Sequence, residues 1–242
     1  MKSKLSKIGI VGGSGVDKLI FSQGFDTKEI NTKYGNVSVE QGKLEGKDVF
    51  FLNRHTKGYL SPSHINYRAN LAALHNKGAE AIIATAAVGA ISKKFKPGDF
   101  VLLTDFIDFT KARGEGFTPG SFIDLSEPYD PDLRHNILKA AKQLKIKVNS
   151  QATYVCTEGS RFETKAEIKM FAKLGADVVG MTQIPEVVLA AEAGIPYAVI
   201  AIVTNYAAGI YKEKISSKEV FDMMKDKATT LSSLLLQTIK NC

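Results

Sequence analysis

Between Tyr154 and Ile210 the chain reads YVCTEGSRFETKAEIKMFAKLGADVVGMTQIPEVVLAAEAGIPYAVIAIVTNYAAGI, in which apolar strand-like runs alternate with helix-like runs. Three polar clusters fall where these elements meet: Gly159 to Thr164, Gly180 to Glu186, and Thr204 to Gly209. Such alternation restricts the chain to a sheet with helices packed on it. In open α/β sheets, ligands bind at the strand ends. This one stretch is therefore expected to supply three walls of one pocket.

The rest of the chain keeps the same alternation. Lys7 to Val11 predicts a strand that ends in Gly12-Gly13-Ser14-Gly15, where glycines admit an anion close to the backbone and Ser14 adds a hydroxyl. A dinucleotide loop of the form G-x-G-x-x-G is excluded, because counting from Gly13 puts Lys18 at the third glycine. Val37 to Leu44 and Asp48 to Leu52 predict a hairpin around Glu45-Gly46-Lys47. The second of these strands ends in Asn53-Arg54-His55, an arginine that can fork onto phosphate beside a histidine. Ser61 to Gly78 predicts a capped amphipathic helix bearing His64, in the first turn, and His75. Glu80 to Ala87 predicts a buried strand, with small residues from Thr85 to Gly89 leaving amides open to an anion. Phe100 to Phe106 predicts another strand, and Thr110 to Glu127 a long polar loop that covers a site or meets a partner. Helices are expected over Asp132 to Leu144, Glu163 to Leu174, Ile184 to Ala193 and Ser216 to Lys240, and strands over Ala152 to Thr157 and Pro196 to Val203. No repeat or linker interrupts this order, so residues 1–242 read as one α/β domain.

Composition narrows the function. Of the 242 residues 44% are hydrophobic and 24% charged, as in an ordinary soluble protein. No apolar run reaches the roughly 18–20 residues that span a bilayer, and the N-terminus reads as a first strand rather than a secretory leader. Cys156 and Cys242 form no motif, which points to a reducing cytoplasm. No His/Cys cluster has metal-ligand spacing, so no metal is expected. The net charge is +7, but the lysines are scattered, with only Lys93, Lys94 and Lys96 close together. That pattern fits a solvated surface, or steering of anions such as phosphate, better than nucleic-acid binding.

The stretches IGIVGGSG, NRH with SPSHINYRAN, AAVGAI with KPGD, EGSRFET, GADVVGMTQIPEVVLAAEAG and TNYAAG occur in this order over nearly the whole chain. Together they resemble the trimeric purine nucleoside phosphorylase and methylthioadenosine phosphorylase family. The resemblance implies a mixed central sheet flanked by helices, and a homotrimer or dimer of trimers. It implies a phosphate site of Ser14, Arg54, His55, the Ala86-Ala87 backbone and Thr182. Relatives carry a hydroxyl or amide at the position of Ala86, for which Thr85 is a substitute. It also implies Met181 against the ribose, Phe162 on the purine, the Asn205-Tyr206-Ala207 segment at the base, and Phe122 reaching into a neighbour's pocket. Inorganic phosphate would be a co-substrate, and no cofactor is needed.

Departures from the family pattern bear on the base. Adenosine-type members have acids at the positions of Asn205 and Ala207 and serine at that of Glu163. A 6-oxopurine offers an N–H at ring position 1 and an acceptor at position 6. Glu163 can accept the first and the Asn205 amide can donate to the second. Without the family frame, Glu163 also reads as a helix-capping carboxylate and Asn205 as a turn residue. At the sugar's 5′ end, Phe221 suits a methylthio group, whereas Ser217 could bond a hydroxyl or cap the last helix. The resemblance thus implies phosphorolysis of 6-oxopurine nucleosides, with S-methyl-5′-thioinosine ahead of inosine or guanosine. Methylthioadenosine phosphorolysis and hydrolysis by a nucleosidase are the rivals.

Overall fold

The computed structural model describes residues 4–14, 16, 24–56, 58–114, 116–118, 120, 122–211 and 214–242. Gly15 and Lys18 of the first loop lie outside them. In chain order the elements are β1 (Lys7–Gly12), β2 (Asp26–Thr32), β3 (Gly35–Leu44), β4 (Lys47–Asn53), α1 (Tyr67–Asn76), β5 (Ala81–Ala90), β6 (Phe100–Leu102) and β7 (Asp105–Phe109). There follow α2 (Pro131–Leu144), β8 (Val148–Asn149), β9 (Thr153–Thr157), α3 (Lys165–Lys173), β10 (Val178–Gly180), α4 (Glu186–Glu192), β11 (Tyr197–Tyr206) and α5 (Ser217–Asn241).

The sheet is mixed, in the order β2-β3-β4-β1-β5-β10-β9-β7, with β11, β6 and β8 branching from β5. The long strands β5 and β11 are buried along almost their whole length and mostly apolar, because helices cover both of their faces. Ile82, Ala84, Val199 and Ala201 pack toward Leu71 and Leu74 of α1 and Val187 and Leu189 of α4. The alternate residues Ala81, Ile83, Ala198 and Ile200 pack toward Ile137 of α2 and Leu231, Leu235 and Ile239 of α5. Ile168 and Phe171 of α3 close over Val155 and Val179.

One irregularity of pairing places the site. β11 holds one edge of β5 from Ile82 to Ala90. The other edge is held by β1 only as far as Ala84, and by β10 only from Gly89. Among the described residues no strand therefore lies beside residues 85–88 on that edge, and a cleft opens there.

The hairpin predicted from sequence forms between β3 and β4. Its turn residues Glu45 and Gly46 have φ of 49° and 77°, the left-handed pair that a two-residue hairpin turn requires. Other expectations need correction. The helix expected over Ser61 to Gly78 is two pieces, a 3-10 turn at Pro62–His64 and α1, which Asn66 caps through Ala69 N–H. His64 is thus not in the helix's first turn. The strand expected over Phe100 to Phe106 breaks between β6, which pairs with β11, and β7, which pairs with β9. The cluster from Thr204 to Tyr206 belongs to β11, past a register shift between Val203 and Asn205. β2 has no counterpart in the sequence reading, because as an edge strand it is nearly all exposed and carries no apolar alternation.

Candidate active site

The strand ends and the gap beside β5 enclose a cleft of about 280 Å³. Parallel pairing of β1 with β4 sets Gly12 against Asn53, so the loops that carry Ser14 and Arg54-His55 emerge side by side. Arg54 N–H donates to the Gly12 carbonyl at 3.0 Å, locking the two loops together. Gly13 must be glycine here: a Cβ would lie 2.9 Å from both Arg54 Nη1 and the Thr85 carbonyl oxygen.

At this end of the cleft His55 Nδ1 lies 2.8 Å from the Leu60 carbonyl oxygen. A carbonyl only accepts, so Nδ1 carries the hydrogen, and Nε2 faces Ser14 Oγ at 3.5 Å. The Tyr59 ring stacks on His55, with centroids 4.4 Å apart and planes 9° from parallel. Its hydroxyl is 2.5 Å from Ser14 Oγ. Thr182, in the turn after β10, lines the same end.

Arg54 is wholly buried, and its fork is already occupied. Nε and Nη2 each donate to Glu186 at 2.7 Å, and Nη1 donates to the Thr85 carbonyl at 2.9 Å. Burial opposes the charge, but the Glu186 carboxylate more than offsets this and holds the guanidinium pKa above its ordinary value. Arginine has five N–H donors, so an anion in the cleft meets the terminal N–H groups left over rather than a free fork. Thr85 is occupied as well: Oγ1 accepts from Gly13 N–H at 2.9 Å. Its hydroxyl thus serves the loop rather than standing in for a side chain at Ala86.

The far wall comes from the three clusters noted in the sequence. Glu163 is 8% exposed, and its Oε1 accepts from Thr157 Oγ1 at 2.6 Å. Burial pushes its pKa up, partly countered by that bond. It does not cap α3. Thr164 does, through Glu167 N–H, in a reciprocal capping box with the Glu167 side chain. Asn205 Oδ1 accepts from Thr204 Oγ1 at 2.8 Å, and Nδ2 donates to the Tyr206 carbonyl at 2.9 Å. The amide is thereby fixed in rotation, with one Nδ2 hydrogen to spare. Phe162, Met181, Ala207 and Gly89 complete this wall. A Cβ at Gly89 would lie 3.3 Å from Asn205 Nδ2.

The third side is the start of α5, with Ile215, Ser217, Val220 and Phe221. Phe221 meets Tyr59 edge-on at 5.3 Å. Ser216, not Ser217, caps the helix, by accepting from Glu219 N–H at 3.2 Å. The Ser217 hydroxyl is therefore free of that duty.

Of the residues singled out from sequence, Ser14, Arg54, His55, Ala87, Phe162, Glu163, Met181, Thr182, Asn205, Ala207, Ser217 and Phe221 converge on the cleft. Three do not. Ala86 packs in the core beneath it. Tyr206 leans on Tyr211, with centroids 4.2 Å apart. Phe122 is fully exposed on the long loop. His64, also outside, bonds Ser61 Oγ through Nδ1 at 2.7 Å. Among the described residues no His/Cys/Asp/Glu group could hold a metal, and no helix is long and apolar enough to cross a membrane.

A family model for the phosphorylase superfamily matches residues 7–240. The chain belongs to the phosphorylase superfamily. It is 43% identical to a probable 6-oxopurine nucleoside phosphorylase of Thermococcus kodakarensis, over 98% of this chain and 92% of that one. It is 45% identical to a probable S-methyl-5′-thioinosine phosphorylase of Methanopyrus kandleri, over 92% of this chain and 87% of the relative. Its fold matches that of methylthioadenosine phosphorylase from Schistosoma mansoni in complex with adenine at a TM-score of 0.91 and 31% identity, covering 96% of this chain and 90% of that one.

For this superfamily member the sequence reading missed two residues that line the cleft, Tyr59 and Thr204, and one behind its walls, Arg113. Tyr59 follows a turn and carries no motif. Thr204 matters only because its hydroxyl orients Asn205. Arg113 lies on the long loop, yet its side chain is only 3% exposed. It bonds the carbonyls of Thr157, Glu158 and Ile184 at 3.2, 2.7 and 2.6 Å, tying that loop to two of the cleft's walls.

Proposed function

We propose that this chain is a purine nucleoside phosphorylase of the pentosyltransferase type that acts on 6-oxopurine nucleosides, S-methyl-5′-thioinosine first among them. The observation that carries the reading is the pairing of Glu163 and Asn205 on one wall of the cleft, with Ala207 where an adenosine-type enzyme would carry an acid. Ser14, His55 and Thr182 face the opposite end, with Arg54 behind them. Phosphate held there is positioned beside the anomeric carbon of a nucleoside laid along Met181, which removes most of the entropic cost of a two-substrate reaction. A phosphate oxygen bonds to that carbon as the glycosidic C–N bond breaks through an oxocarbenium-like state. The bond pair leaves with the purine, where edge donors stabilise it until the purine takes up the proton that the attacking phosphate gives up. Hypoxanthine and 5-methylthioribose 1-phosphate are the expected products.

Ile215, Val220, Phe221 and the Tyr59 ring make the 5′ end apolar, which favours methylthio. Ser217, freed from capping, favours a second reading, in which inosine or guanosine is the substrate. A phosphate-dependent assay of methylthioinosine, inosine, guanosine and methylthioadenosine tests both. Preference for methylthioadenosine, or release of free sugar, refutes the proposal. Asn205→Asp sets a carboxylate oxygen against the Tyr206 carbonyl, and against the 6-oxo group of a substrate. It is expected to lower activity on 6-oxopurines by about two orders of magnitude or more.

A further inference from the structure

Beneath the phosphate-facing side chains runs a buried polar chain that the reaction just described leaves unused. Arg54, Glu186 and Gln183 are 0% exposed and Tyr197 is 2% exposed. Glu186, at the start of α4, clamps the guanidinium through Nε and Nη2. The hydroxyl of Tyr197, the first residue of β11, lies 2.5 Å from Glu186 Oε1 and 2.7 Å from Gln183 Oε1. At its other end Gln183 donates from Nε2 to Thr182 Oγ1 at 3.5 Å. Tyr197 has one hydroxyl hydrogen for these two acceptors and bridges them as a three-centre donor, so Arg54 and Thr182, from separate strand ends, are the two ends of the polar chain it spans.

A buried ion pair seldom stabilises a fold more than well-packed apolar residues of the same volume. This one borders the cleft, with both Glu186 oxygens bonded and guanidinium N–H groups left over. It has two effects on the groups in front of it. The bidentate clamp fixes the plane of the guanidinium and so the direction of its remaining N–H groups. The bond from Gln183 fills an acceptor site on Thr182 Oγ1 and leaves that hydroxyl its hydrogen to donate. Neither effect requires contact with substrate.

We infer that Glu186, Tyr197 and Gln183 are positioning residues that hold Arg54 and Thr182 as one unit for the phosphate oxygens. The inference rests on the phosphate reading of the cleft and adds that the two anion contacts are coupled from behind. The test is steady-state phosphorolysis by wild type, Tyr197→Phe and Gln183→Met, with inorganic phosphate and nucleoside varied separately. In each variant the phosphate KM is expected to rise about tenfold while the nucleoside KM stays within about twofold, as suits loss of one link in a charge-assisted chain. Thr182→Ala is expected to cost less in the Tyr197→Phe background than in wild type, because the link is already broken. An unchanged phosphate KM in the folded variants overturns the inference. So does an equal rise in both KM values, the mark of general loosening. If Tyr197→Phe does not fold, Gln183→Met decides alone. A wild type that cleaves nucleosides without phosphate overturns the phosphorylase reading and this inference with it, whereas a phosphate-dependent wild type with unaffected variants overturns only the inference.

Discussion

Glu163 is a carboxylate set in a largely apolar wall, and burial raises its pKa. Its folded pKa lies above its unfolded value, so the folded state holds the proton more tightly. The penalty for burying the charge is absent below the unfolded pKa. It grows as pH rises and is complete above the folded pKa. Glu163→Gln keeps an acceptor for the Thr157 hydroxyl and removes the charge. Its Tm is expected to exceed that of wild type at neutral pH and to converge with it in acid, as read by thermal unfolding across pH. The same change is expected to impair 6-oxopurine turnover, because a neutral amide accepts the ring N–H more weakly than a carboxylate. Arg54 is the opposite case. Arg54→Ala strips the partner from a buried Glu186, a loss of about 3–5 kcal/mol where such pairs have been broken. A fall in its activity therefore reports unfolding as well as lost phosphate contact. Denaturant unfolding beside the kinetics separates the two.

The start of α5 separates two serines that look equivalent in sequence. Ser216 caps the helix and Ser217 lines the cleft. Ser216→Ala is expected to lower stability by about 1 kcal/mol without altering substrate preference. Ser217→Val is expected to leave stability nearly unchanged and to raise the ratio of kcat/KM for methylthioinosine over inosine. A ratio moved by the first change and not by the second would reverse these roles. The sequence indicated a capped helix here because Ser-Ser precedes a periodic run, but only geometry tells which hydroxyl meets Glu219 N–H. Elements with a strong local signature were legible for the same reason. The Glu45-Gly46 turn, the Gly12-Gly13 loop and the long, mostly apolar runs of β5 and β11 each follow from local sterics or from two-sided burial. β2 was not legible, since an exposed edge strand has no pattern to show. Nor was the clamp on Arg54, whose partner Glu186 lies 132 positions away.

At the scale of the molecule, one protomer leaves its cleft partly uncovered. Phe162, Tyr59 and Phe221 line the cleft yet remain more than a third exposed, while Phe122 projects fully exposed from a loop that Arg113 ties to the cleft walls. Such a ring in isolation is a poor use of apolar surface and a good one for a neighbour's site. The expected assembly is a trimer or a dimer of trimers, in which Phe122 of one protomer covers the sugar and base bound by the next. Light scattering reads the assembly, and a fully active monomer would refute it. Phe122→Ala is expected to raise the nucleoside KM roughly tenfold, the loss of one well-buried aromatic contact, with little effect on the phosphate KM. Mixing provides the sharper check. Phe122→Ala has an intact cleft but offers its neighbour no ring, whereas Asn205→Asp offers the ring from a disabled cleft. Co-refolded together, they form mixed assemblies in which an intact cleft receives a ring from the disabled neighbour. Activity above the sum of the two separate variants is therefore expected if the ring acts between protomers. Simple additivity would place Phe122 in its own protomer's site or in none.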